Sequence, residues 1–122
     1  MFEVSKEIMI SATHRVREHQ GGCENIHGHN WKIIVYVGAQ ELNNMGMVID
    51  FKDLKHVMKK VIMPMDHNDI NTYPPFDKLN PTSENMAKFI FDEISKELND
   101  ERKQVSKVEV YETDSSKAVY SK

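Results

Sequence analysis

The sequence predicts an α+β domain, a four-stranded antiparallel sheet with two helices on one face, in the order β-β-α-α-β-β. Three observations predict it. Apolar residues alternate with polar ones near both ends of the chain, and in between their spacing changes twice to threes and fours. The 122 residues also carry no repeat, no low-complexity run and no Pro/Gly/Ser-rich linker, so one domain spans 1–122.

The first strand runs from Phe2 to His14, with Phe2, Val4, Ile8, Ile10, Ala12 and His14 in one phase and Glu3, Ser5, Glu7, Ser11 and Thr13 in the other. A polar loop, Arg15 to Ile26, is marked by Gly21-Gly22. The second strand, His29 to Val37, puts His29, Trp31, Ile33, Val35 and Val37 on one face and Lys32, Ile34 and Tyr36 on the other. It is read as the antiparallel partner of the first. Asn43-Asn44 and Gly46 form a turn before Met47-Val48-Ile49, read as a short strand ending at Asp50. Asp50 caps a helix on which Phe51, Leu54, Val57, Met58, Val61 and Ile62 recur at helical spacing, and Pro64 closes it. Residues 66–81 are rich in Asp, Asn and Pro and read as a loop. A second helix begins at Pro81-Thr82-Ser83-Glu84, where Thr82 or Ser83 supplies the cap, and continues through Met86, Ala87, Ile90, Phe91, Ile94 and Leu98. After the charged turn Asn99 to Lys103, the stretches Val105 to Thr113 and Lys117 to Tyr120 close the sheet.

Two helices cover one face of such a sheet, yet Ile34 and Tyr36 make the other face partly apolar, and the outer strands lack neighbours. Self-association that closes the sheet into a barrel answers both demands. Composition narrows the function. The formal charge is −3, from 16 Lys+Arg against 19 Asp+Glu, and the basic residues do not cluster, which argues against a nucleic-acid partner. No run approaches the roughly 20 apolar residues of a membrane span, and the N-terminus lacks a signal-peptide layout, so a cytoplasmic protein is expected. With one cysteine against six histidines, an intramolecular disulfide and a cysteine-only zinc finger are both excluded.

His27-Gly28-His29 places two imidazoles on one side of an extended chain, and His14 ends the preceding strand in phase with its apolar residues. Three neutral imidazoles at the mouth of one hairpin, with a position left open, are the donor set of a catalytic zinc site. A solitary histidine is more often an ordinary surface residue; the H-x-H pair with a third in-phase histidine favours metal. Cys23 lies in the same loop, where a thiol near a cation becomes a thiolate base, a fourth ligand or an incidental residue. Asp66-His67 has the composition of a proton relay, although adjacent residues need not touch and a loop pair is usually solvated. A calcium loop from Asp66 fails, since Asn71 stands where glycine is required. Glu112 shares the phase of Val108 and Val110 and either points from the apolar face, where it would accept paired N–H groups of a guanine-like ring, or faces water. Phosphate-loop, dinucleotide, zincin, α/β-hydrolase and zinc-deaminase motifs are absent.

Together these residues resemble the 6-pyruvoyltetrahydropterin synthase and 6-carboxytetrahydropterin synthase family. The resemblance is carried, in order, by Ser11-Ala12-Thr13-His14, Cys23 to His29 (C-E-N-I-H-G-H), Gly46-Met47-Val48-Ile49-Asp50-Phe51, Asp66-His67-Asn68 to Asn71, Pro81-Thr82-Ser83-Glu84-Asn85 and Glu112-Thr113. It implies the tunnelling fold, whose subunits close their sheets into a barrel as trimers that pair into hexamers. It implies Zn2+ on His14, His27 and His29, Cys23 as catalytic base, Asp66 and His67 supporting proton transfer, and Glu112 anchoring a pterin ring with help from Thr82 and Ser83. The implied substrate is 7,8-dihydroneopterin triphosphate.

The cysteine three residues clear of H-G-H resembles the enzymes that form 6-carboxytetrahydropterin and acetaldehyde for queuosine synthesis. The pyruvoyl-forming branch usually has a longer gap, and the branch forming 6-hydroxymethyldihydropterin for folate uses a glutamate two residues clear, which Glu24 also satisfies. Glu24 is therefore read as a substrate-side acid or as a solvated loop residue. Arg15, Arg17 and His19 are candidates for the triphosphate by proximity. Two readings of other classes stand beside the lyase: a metal-free pterin-binding or scaffold protein, and an interaction module with structural zinc.

Overall fold

Alternation builds the sheet as expected. In the computed structural model, which describes residues 1–18, 21–22 and 25–122, β1 (Phe2–His14) buries Ile10, Ala12 and His14 and exposes the alternate residues Met9 and Ser11. β2 (His27–Ala39) buries Trp31, Ile33, Val35 and Val37. It starts two residues earlier than the alternation alone marks, because it pairs with β1 in unbroken register from Phe2↔Ala39 to His14↔His27. β3 (Lys103–Thr113) and β4 (Ser116–Ser121) complete an antiparallel sheet in the order β1-β2-β3-β4. β3 reaches back into the expected charged turn, since Lys103 pairs with Ala39.

Both helices start where their caps stand. Asp50 accepts the Lys52 N–H at 2.8 Å at the head of α1 (Phe51–Ile62), and the Thr82 hydroxyl accepts the Asn85 N–H at 3.1 Å at the head of α2 (Ser83–Leu98). α1 gives way to a 3₁₀ turn, Met63–Met65, around Pro64, which cannot donate the next helical hydrogen bond. Leu54, Met58 and Ile62 of α1 and Met86, Ile90 and Ile94 of α2 pack with Trp31, Ile33, Val35, Val108 and Val110 into one core on one face of the sheet.

Met47–Ile49 is a correction: it forms no strand. Val48 and Ile49 are buried, but no neighbouring strand offers them a ladder, and the Arg102 guanidinium takes up the carbonyls of Met47 (3.4 Å) and Val48 (2.7 Å) instead. The segment following α1 is more ordered than a plain loop. It contains a second 3₁₀ turn, Ile70–Thr72, pinned by the fully buried Ile70 and Phe76. It also lies along the outer edge of β1, where Ser11 N–H donates to Asp66 Oδ1 (2.9 Å), His67 N–H to the Ser11 carbonyl (2.7 Å) and Thr13 N–H to the Asn68 carbonyl (3.1 Å). Thr13 and Asp69 thereby form a short parallel bridge.

The helix-free face carries Ile34, Tyr36 and Tyr111, half-buried, around Glu109, which is only 4% exposed. Tyr36 and Lys117 both donate to the Glu109 carboxylate. Lys107 sits 4.4 Å over the Tyr36 ring and Lys32 4.2 Å over the Tyr111 ring. The sheet is open within a single chain. Among the described residues no helix is long and apolar enough to cross a membrane.

Candidate metal centre and active site

Register brings the histidines together. His14 faces His27 across the β1–β2 ladder, and His29, two residues along β2, lies on the same face. The three rings form a triangle with centroid separations of 4.6, 4.9 and 5.2 Å. Beneath them Trp31, fully buried and anchored by its Nε1–H to the Ala12 carbonyl, stacks edge-on against both His14 and His29.

Backbone carbonyls set the tautomers. His14 Nδ1 lies 2.8 Å from the Pro81 carbonyl oxygen, and His27 Nδ1 lies 2.7 Å from that of Asn25. A carbonyl only accepts, so each Nδ1 carries the proton and each Nε2 keeps its lone pair. The Nε2 atoms of His14 and His29 are buried and have no hydrogen-bond partner among the described residues. Burial lowers the pKa of both imidazoles, the main cause in each case, so they stand neutral near pH 7. His14 is 1% exposed.

Glu112 joins them. It is the extra residue of a bulge in β3, between Tyr111 paired with Lys117 and Thr113 paired with Ser116. Its Oε1 lies 3.2 Å from His14 Nε2 and 3.4 Å from His29 Nε2. The donor atoms of His14, His27, His29 and Glu112 all fall within 4.8 Å of one another. Orphaned buried nitrogens, tautomers fixed from behind and an N/N/N/O donor set fit a divalent metal. Sequence phase placed Glu112 on this face; its approach to the histidines depends on the bulge, which phase does not reveal.

Two openings meet the cluster. One cleft is lined by Thr13, Gly28, His29, His67 and Asp69. His67 stands at its rim with its side chain 81% exposed, its Nε2 3.5 Å from Asp66 Oδ2, and its backbone in the left-handed region at φ 58°. Asp66 and His67 thus come together as a pair beside His29. Gly28 does not serve close approach in this structure, since a Cβ there would meet Thr13 Cγ2 at an ordinary 3.7 Å. The other opening is a pocket shared by Ser83, Glu84, Glu112, Ser116 and Lys117. Thr82 uses its hydroxyl as the helix cap.

Cys23, Glu24 and His19 lie outside the described residues. Arg17 turns inward, donating to the Phe76 carbonyl at 2.8 Å and to neighbouring carbonyls of the same segment. Residues that sequence reasoning missed are Asn71 and Asn80, which grip the backbone of Arg15 and Arg17 where the chain leaves His14. The asparagines in 66–81 were legible as loop formers, but no local pattern links them to residues 15–17.

The family profile described as 6-pyruvoyl tetrahydropterin synthase matches residues 3–122. The chain is 34% identical to 6-carboxy-5,6,7,8-tetrahydropterin synthase of Haemophilus influenzae, over 98% of this chain and 99% of that protein. It is 36% identical to human 6-pyruvoyl tetrahydrobiopterin synthase, over 97% of this chain and 90% of that protein. Its fold is similar to that of 6-pyruvoyl tetrahydropterin synthase from Caenorhabditis elegans, with a TM-score of 0.87 and 26% identity over 99% of this chain and 95% of that one. Helices on one face of an open four-stranded sheet, three converging histidines and matches along nearly the whole length agree, and the chain belongs to the 6-pyruvoyl tetrahydropterin synthase family.

Proposed function

We propose that the protein is a zinc-dependent lyase that converts 7,8-dihydroneopterin triphosphate to 6-carboxy-5,6,7,8-tetrahydropterin, with release of acetaldehyde and triphosphate, in 7-deazapurine (queuosine) synthesis. The observation that carries this reading is the His14–His27–His29 triangle, in which His14 and His29 are held neutral near pH 7 by burial and their buried Nε2 atoms have no hydrogen-bond partner among the described residues. When bound there, zinc supplies Lewis acidity that acidifies C–H bonds beside the substrate's side-chain oxygens. The three imidazoles hold it, and the Pro81 and Asn25 carbonyls keep two of them turned the right way.

Cys23 takes and returns the protons of the side chain. Asp66, steadied by the Ser11 N–H, faces the His67 imidazole at Nε2 on the cleft rim and favours the proton there, which leaves Nδ1 as the nitrogen that relays a proton. Glu112 accepts the adjacent amino and ring N–H groups of the pterin in the pocket it shares with Ser83, and Thr82 keeps the head of α2 in place beside it. The open sheet is closed by copies of the chain, as a trimer or a dimer of trimers.

Two features favour the carboxy-forming branch: the C-E-N-I-H-G-H spacing, and relatives from Haemophilus influenzae and Bacillus subtilis that carry that name at 34% and 33% identity. The human relative at 36% supports a pyruvoyl-forming alternative, and Glu24 beside Cys23 supports a hydroxymethyl-forming one. Incubating the zinc-loaded protein with 7,8-dihydroneopterin triphosphate and weighing the products separates all three by mass. A product of one of the other two masses replaces the branch, and no product overturns the substrate assignment.

A further inference from the structure

Pro81 gives its carbonyl to His14, and one side chain holds the residues on either side of that proline. Asn85 donates from Nδ2 to the Asn80 carbonyl at 2.9 Å, and its backbone N–H donates to the Thr82 hydroxyl at 3.1 Å. Between these two points the Pro81 ring restricts φ. The direction of the Pro81 carbonyl is thereby set, and its oxygen lies 2.8 Å from His14 Nδ1 in a buried contact.

The same turn reaches the chain beyond His14 as well. Asn80 accepts the Arg17 N–H at 2.9 Å and donates to the Arg17 carbonyl at 3.1 Å. Neighbouring residues 80 and 81 thus hold residues 17 and 14, so His14 cannot shift away from the head of α2 without breaking both attachments. His14 is 1% exposed, and its Nε2 has no hydrogen-bond partner among the described residues. The Pro81 carbonyl is therefore the group that decides which nitrogen of the ring carries the proton.

Asn85 is an unusual choice for a plain helix end. It stands at the third position of α2, where a glutamate or glutamine would close a capping box and an acid would suit the helix dipole. Here the side chain faces a carbonyl, to which an amide can donate and a carboxylate cannot. A local preference is set aside at a residue that connects to the histidine cluster.

We propose that Asn85 is a positioning residue for the metal centre: by holding Asn80 and Thr82 it presents the Pro81 carbonyl to His14 Nδ1, which keeps the proton there and leaves the Nε2 lone pair for the ion. This rests on the metal reading above and adds to it a residue that is not itself a ligand.

The first test is made without metal, by NMR of protein carrying isotope-labelled histidine near neutral pH. A neutral ring with its proton fixed gives two well-separated imidazole nitrogen signals, and a ring that exchanges between tautomers gives two that approach their average. His14 is expected to show the Nδ1–H form. Asn85→Ala and Asn85→Asp both remove the donor, the first without adding charge and the second without changing shape. Both are expected to move the His14 signals toward the average and to weaken zinc binding about 10-fold in chelator competition. Asp50→Ala, which removes the cap of α1, is the comparison: it is expected to lower stability and leave the His14 tautomer and zinc affinity as they are. An Nε2–H form of His14 in the unsubstituted protein overturns the proposal even if neither Asn85 variant folds. Unaltered His14 signals in both Asn85 variants overturn it too, as does a loss of zinc affinity no larger than that of Asp50→Ala. Failure of the unsubstituted protein to bind zinc overturns the metal reading instead, and is told apart from these outcomes because the tautomer is read without metal.

Discussion

Asn71 holds Arg15 by both of its backbone polar groups, accepting from the Arg15 N–H at 2.8 Å and donating back to the Arg15 carbonyl at 3.0 Å. Asn80 does the same for Arg17, at 2.9 and 3.1 Å. The two side-chain amides act as a substitute strand beside the chain as it leaves β1. Asn71→Ala strands two backbone groups in a part-buried setting and is expected to cost about 1–2 kcal/mol. Asn71→Asp keeps the acceptor and loses the donor, so a smaller loss is expected. Urea midpoints of the metal-free variants check the order.

The histidines divide by burial. His14→Ala removes a fully buried ring and its bond to Pro81, so the metal-free protein is expected to lose on the order of 2 kcal/mol or more. His29→Ala empties a site that is part-open to the cleft and is expected to change metal-free stability much less. Both are expected to lose metal retention against a chelator. Denaturant unfolding beside chelator competition separates the two effects.

His67 adopts φ 58° with an exposed side chain, a conformation that glycine takes without penalty. His67→Gly is expected to leave the melting temperature equal or higher, a gain of about 0–1 kcal/mol after glycine's extra unfolded-state freedom is counted. Pterin turnover is expected to fall. A variant that is both less stable and fully active would remove His67 from the proton relay.

Glu109 and Tyr36 make the helix-free face sensitive to pH at both extremes. Burial pushes the Glu109 carboxyl up, but hydrogen bonds from Lys117 and Tyr36 outweigh it and hold it below the ordinary value. Its contribution to stability is present above about pH 4.5 and is lost as pH falls through the lowered value. The same hydrogen bond pushes the Tyr36 phenol up to about 12, so its contribution is full below pH 10.0 and is lost as pH rises from there through about 12. Glu109→Gln is expected to bring one late-titrating phenol of the four tyrosines back toward the others, read by phenolate absorbance. It is also expected to reduce the loss of stability between neutral and acid pH.

Where local chemistry decides, the sequence was enough. Alternation gave β1 its bounds, Asp50 and Thr82 announced both helices, and phase alone put His14, His27 and His29 on one face. Met47-Val48-Ile49 misled because an apolar, β-branched run satisfies strand propensity whether or not a partner strand exists, and here Arg102 replaces the ladder. The Pro81 carbonyl behind His14 and the grip of Asn71 on Arg15 join positions 67 and 56 residues apart. Such links are decided by tertiary packing and leave no periodic trace.

The strip 66–69 laid against Ser11 and Thr13 also divides the rim of the sheet between two uses. With the far end of β1 taken, only its first two-thirds, where Glu3, Ser5, Glu7 and Met9 turn their backbone groups outward, is left for another chain to join. The open backbone edge and the residues around the histidines thus lie on different stretches of one strand. A proline at Ser5 is expected to block strand pairing along this open edge while leaving the residues around the histidines as they are.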